Sequence, residues 1–213
     1  MNKNYTPEIN FFNRRSINLD ITHRCALECP RCQRYRDYTK HGKKVPGVDM
    51  SLENIKKIIS FFKIISFCGQ YSDAVHHPKF VEILKLLHDN EIRCGVHNAS
   101  SAKPLNWYIK AFNSHPTAEW VFGIDGLPEE SHKYRVNQDG KKLFNIMLES
   151  KKYLKKRPTW QYIIFNYNEN NIDKAKEIAN KNDVNFMTIN SSRWLSKTDP
   201  MRPMNPKLSF NPK

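Results

Sequence analysis

The chain lacks any apolar run long enough to cross a bilayer. The longest, Ile58 to Cys68, is broken by Lys63, whereas a spanning helix needs about 20 apolar residues. A secretory pattern is missing too: Met1-Asn2-Lys3-Asn4-Tyr5-Thr6 is polar, with no apolar h-region. No internal repeat is evident. Cysteine is sparse and odd in number, five in 213 residues, so a disulfide framework does not explain it. These absences predict a protein of the reducing cytoplasm with no membrane partner. Acidic residues are in deficit, 21 against 35 Lys and Arg, for a net charge of +14. The excess is uneven: residues 141–213 carry 15 basic and 6 acidic side chains, and residues 1–140 carry 20 and 15. A basic surface attracts polyanions, so a nucleic acid or an acidic substrate is one reading. The other is a solvated helix face, because Lys151, Lys152, Lys155, Lys156 and Arg157 fall where a helix pattern ends and cations suit the dipole.

Against that background, three of the five cysteines sit within eight residues, Cys25-Ala26-Leu27-Glu28-Cys29-Pro30-Arg31-Cys32. Three thiolates so close can grip one side of a metal centre and leave another side open, the mark of a reactive rather than a structural centre. A closed zinc site would need a fourth ligand, such as His23 or His41, and no second Cys-x-x-Cys or close His pair follows at zinc-finger distance. Cys68 and Cys94 fall at strand ends, read as small buried residues, and are too few for a second complete cluster.

Six apolar segments read as strands: Ile17–Ile21, Ile64–Phe67, Ile92–Val96, Trp120–Ile124, Trp160–Phe165 and Val184–Ile189. Helical stripes separate several of them. They are Leu52, Ile55, Ile58, Ile59 and Phe62, capped by Ser51; Phe80, Ile83, Leu84 and Leu87 after Pro78; Leu143, Phe144, Met147, Leu148 and Leu154; and Ile172, Ala175, Ile178 and Ala179. Residues 37–49 read as a loop. Such alternation predicts parallel strands joined by right-handed crossovers, with the cysteines in the loop that follows the first strand. That end of the strands is where α/β barrels hold their active sites. The length suits one substantial core and does not require two domains.

The cysteine spacing and its context, Asn18-Leu19-Asp20-Ile21-Thr22 and then Arg24 to Pro30, resemble the radical S-adenosylmethionine (SAM) superfamily. The resemblance is to a minimal core without an auxiliary-cluster (SPASM-type) domain. It implies an α/β fold, a partial (β/α)6 TIM-like barrel of parallel strands, over residues 14–190. Residues 1–13 form an N-terminal lead-in, and 191–213, with Pro200, Pro203, Pro206 and Pro212, an irregular C-terminal tail. It further implies that Cys25, Cys29 and Cys32 hold a [4Fe-4S] cluster whose fourth iron binds SAM. An external electron donor of the flavodoxin or ferredoxin kind would then drive cleavage of SAM to a 5′-deoxyadenosyl radical. Arg31 stands where many members carry an aromatic residue.

The same resemblance extends beyond the cysteines. Gly69-Gln70-Tyr71-Ser72-Asp73 matches a family segment that meets the SAM amino group, with Ser72 in place of a glycine and Ala74 in place of a proline. Asn98, in His97-Asn98-Ala99, occupies a "Thr-Asn-Gly" position, where it holds SAM or stabilises the loop. Asp125, in Ile124-Asp125-Gly126, continues to His132, Tyr134 and Arg135; Arg135 either faces the cavity or makes a surface ion pair. Asn166 lies where polar residues contact the ribose or adenine. His76 and His77 read as loop-forming residues. The substrate stays open among peptide, nucleotide or RNA, and sugar. A second function read from the residues is a zinc-stabilised basic nucleic-acid-binding module.

Overall fold

The computed structural model describes residues 16–41, 45, 47–69, 71–190, 194 and 196–209. The lead-in 1–13 and position Gln70 lie outside them. Six strands form one sheet: β1 (Ser16–Asn18), β2 (Ile64–Phe67), β3 (Arg93–Asn98), β4 (Glu119–Gly123), β5 (Thr159–Ile164) and β6 (Asn185–Asn190). They lie in sequence order and every neighbouring pair is parallel. Among the described residues six α-helices connect them, the first two both between β1 and β2 and one in each later crossover: α1 (Gln33–His41), α2 (Leu52–Ile59), α3 (Phe80–Asp89), α4 (Leu105–Ser114), α5 (Gly140–Ser150) and α6 (Ile172–Lys181). This is the parallel α/β arrangement that the alternating pattern predicts and that the resemblance implies as a partial (β/α)6 barrel.

The two faces of the sheet differ, because side chains alternate along a strand. Ile65, Val96, Trp120, Phe122, Trp160 and Tyr162 are buried in the main core, together with Phe80, Leu84 and Leu87 of α3 and Leu143 and Met147 of α5. The opposite face carries Ser66, Gly95, His97, Val121 and Gln161, which pair across the ladders as Ser66 with Gly95, His97 with Val121, and Gly123 with Gln161. A small, polar concave face leaves room for a ligand; a large, apolar convex face takes the helices.

Caps follow local chemistry. Ser51 Oγ accepts the Asn54 amide at 3.2 Å and starts α2. Asp139 does the same for Lys142 at the head of α5. Two expectations are corrected. Residues 37–41 are the end of α1, a helix whose polar sequence gives no apolar stripe, so only 45 and 47–49 keep the loop reading among the described residues. β1 is shorter than expected and stops at Asn18, since Asp20 is drawn into the next loop, where its carboxylate accepts from Ser72 and Tyr71. Helix α4 went unmarked in the strand–helix pattern although Tyr108, Ala111 and Phe112 are fully buried along it.

Candidate functional site

The loop after β1 is shaped by short-range bonds. Thr22 Oγ1 donates to Asp49 Oδ1 at 2.5 Å and accepts the Arg24 amide at 3.3 Å. The Cys32 amide donates to the Cys29 carbonyl at 3.0 Å, and the Cys32 carbonyl accepts Arg36 N–H at the first turn of α1. Longer bonds fix the loop over the sheet end: Asp73 N–H to Arg24 O at 3.1 Å and Glu28 N–H to Val136 O at 3.2 Å. Cys25 Sγ accepts the Leu27 amide at 3.4 Å. All three cysteines are unpaired thiols and line one cavity of about 330 Å³, in the range of small-molecule sites.

Burial pushes the Cys25 thiol up to about 12, and the nearby Asp73 carboxylate adds to that. Burial also raises Cys29, while Arg135 beside it works the other way. The Cys25 and Cys29 thiols therefore keep their protons at neutral pH, and a metal would have to displace them to bind there. Among the described residues, no three His, Cys, Asp or Glu side chains converge on a point suited to a single ion. Three thiolates on separate irons of one cluster sit farther apart than three donors to one ion.

The remaining wall comes from the ends of β2 to β5 and from α1. Gly69, Tyr71, Ser72 and Asp73 line the cavity, as do Asn98, Arg31, Arg34, Cys68, His97, Gly123, Arg135 and Gln161. The 68–73 turn is anchored on β1. Asn18 exchanges two 3.0 Å bonds with the Cys68 backbone, and Ser72 Oγ donates to Asp20 Oδ1 at 2.6 Å. Tyr71 Oη hydrogen-bonds Asp37 of α1. A β-carbon at position 69 would strike the Ser72 carbonyl and come within 2.5 Å of Asp20 Oδ1, so glycine is required there for space. Its φ is not positive, and neither is that of Ser72, so serine costs the turn nothing.

Asp73, Asn98 and Asp125 are buried and largely occupied by the protein itself. Asp73 Oδ2 accepts the Ala99 and Ser100 amides, each at 2.9 Å, and Oδ1 the Val75 amide at 3.3 Å. Asn98 Nδ2 donates to Tyr108 Oη, and its Oδ1 accepts Ser100 N–H. Asp125 Oδ1 accepts Ile163 N–H at 2.8 Å, and Oδ2 accepts Arg135 Nε at 2.7 Å. Arg135 thus forms a buried ion pair, and it lines the cavity as well. Burial works against its charge, but Asp125 and then Cys29 hold its pKa above the ordinary value. Gly123 makes room for it: a β-carbon there would lie 3.1 Å from Arg135 Nη2.

Other expectations fall differently. Asn166 does not face this cavity; it borders a separate shallow one with residues 197–206, and its amide donates to Met201 O. Cys94 is buried, whereas Cys68 lines the site. His77 bridges Met50 O and the Lys79 amide, and His76 meets Ser100 Oγ, so both hold loops. His97 and Gln161 were not anticipated. Their signal is period-two alternation: each lies between buried residues of the convex face.

No protein-family model matches the chain, and no curated protein does. Solved structures share its fold. SuiB of Streptococcus suis superposes with a TM-score of 0.68 at 9% identity, over 92% of this chain and 45% of SuiB. Methylornithine synthase (PylB) gives 0.61 at 15%, over 90% and 60%. The anSMEcpe structure with bound AdoMet gives 0.62 at 13%, over 91% and 56%. The chain spans about half the length of these proteins. Among the described residues no helix is long and apolar enough to cross a membrane.

Proposed function

We propose that the chain is a radical SAM enzyme. Cys25, Cys29 and Cys32 would hold a [4Fe-4S] cluster, and SAM would bind beside it in the cavity. The observation that carries this reading is the position of the three thiols on one cavity at the C-terminal ends of β1 to β5. The donor set fits such a cluster: three unpaired thiols on one wall, an open polar face opposite them, and the cations Arg34 and Arg135 to balance an anionic centre. The chemistry supplied by the bound pair is reductive cleavage of SAM to methionine and a 5′-deoxyadenosyl radical, which takes a hydrogen atom from the substrate.

The chain's own residues position and shield. Asp73 ties the turn after β2 to the loop after β3, so the two loops share one geometry. Gly69, Tyr71 and Ser72 present backbone at the cavity rim. Asp125 orients Arg135, which faces Cys29 and favours its thiolate. Asn98 would act by shaping the loop. The electron would come from an external flavodoxin- or ferredoxin-like donor. A peptide is the substrate class we favour; SuiB has been solved bound to its precursor peptide SuiA, and the concave polar face here can accept an extended chain. Unpaired cavity thiols suit a reducing, cytoplasmic setting. The core would be residues 14–190, with 191–213 appended.

The test is anaerobic incubation of reduced protein with SAM. Formation of 5′-deoxyadenosine and methionine supports the reading; their absence from protein that carries a reducible cluster overturns it.

A further inference from the structure

Residues 196–209 contain turns but no helix or strand, yet they are held at several points. Arg31 Nη2 donates to Asp199 Oδ2 at 2.7 Å across 168 positions of sequence, and the Asp199 side chain is only 2% exposed. Asp199 Oδ1 accepts the Met201 amide at 2.9 Å. Glu169 takes the Met204 and Asn205 amides, one on each carboxylate oxygen, both at 3.0 Å. Met201 packs into the small apolar cluster that includes Leu27, Cys25, Cys29 and Cys32. Arg31 lines the cavity beside those cysteines, and its Nε is buried with no hydrogen-bond partner. Asp199 thus holds the Arg31 guanidinium at the cavity wall beside the thiols.

We propose that Asp199 holds Arg31 as part of the cluster's wall, with the guanidinium supplying a cation beside the bound cluster, and that residues 196–209 are the strap that fixes it. The inference rests on the iron–sulfur reading above. It explains why an arginine, rather than an aromatic residue, precedes Cys32: the ion pair replaces apolar cover. A cation beside an anionic centre favours its reduced form and raises its potential. The strap also keeps water and chelators from the thiols.

The test compares the parent protein with Arg31→Gln, Arg31→Lys, Asp199→Asn and Asp199→Glu, all purified anaerobically. Midpoint potential is read by reductive titration, and cluster loss by bleaching under an iron chelator. Arg31→Gln should shift the potential to more negative values and bleach roughly tenfold faster. Arg31→Lys keeps the charge and should stay nearer the parent potential than Arg31→Gln, while losing the guanidinium's hold on Asp199 and bleaching faster. Asp199→Asn should bleach faster, with Asp199→Glu recovering part of the protection. Parent-like potentials and bleaching in the Arg31→Gln and Asp199→Asn proteins overturn the inference and leave the cluster reading standing. If Asp199→Asn fails to fold, Arg31→Gln decides, and parent-like behaviour there overturns the inference. A parent protein that takes up no iron and sulfide overturns the cluster reading first.

Discussion

Arg135 reaches the fully buried carboxylate of Asp125 at 2.7 Å, and the same guanidinium lies beside Cys29 of the cysteine loop. Asp125 is fixed in turn by the Ile163 amide of β5 and, through its own amide, by Ser131 Oγ. The pair is thus a rivet between two strands and the wall beside Cys29. Removing one partner leaves the other charge buried and unmatched. Asp125→Ala should destabilise the protein by about 3–5 kcal/mol. Urea unfolding measures this, and a loss under about 1 kcal/mol would mean that water reaches the pair.

The Asp73 carboxylate should behave as a second tie. Asp73→Ala strands the Val75 and Ala99 amides and leaves the Ser100 amide only its bond to Asn98 Oδ1. The expected loss is about 3 kcal/mol, with Asp73→Asn losing less because one oxygen can still accept. Equilibrium unfolding of both variants checks the order.

How much of this was legible in the sequence depends on the range of the interaction. β2 is found at its expected bounds, and β3 to β6 shift by a residue or two, because apolar convex-face residues recur locally. The Cys25, Cys29 and Cys32 spacing is equally local. Helix α1 has a sequence of Gln, Arg, Tyr, Asp, Thr, Lys and His, which offers no stripe to read. The Arg31–Asp199 pair has no local signal at all, since its partners meet only when the strap closes over the loop. Asn166 was drawn toward the cavity by its place after β5, but the strap claims its amide.

A pH dependence follows from His115. Burial holds its pKa below the ordinary 6.5, with His88 and Lys156 adding to that, although its bond to Ile92 O opposes the shift. As pH falls through about 6.5 the unfolded chain takes up a proton and the folded one does not, so stability is full above that pH and lost below it. His115→Gln should lose less stability than the parent between pH 7.5 and 5.5, by about 1 kcal/mol. Urea midpoints at the two pH values give the comparison; equal losses would show that His115 protonates in place.

The cysteine triad itself is judged by iron and acid-labile sulfide in anaerobically purified protein. About four of each per chain is expected, falling steeply in Cys29→Ser. One zinc per chain with no sulfide would contradict it and return these thiols to a structural role.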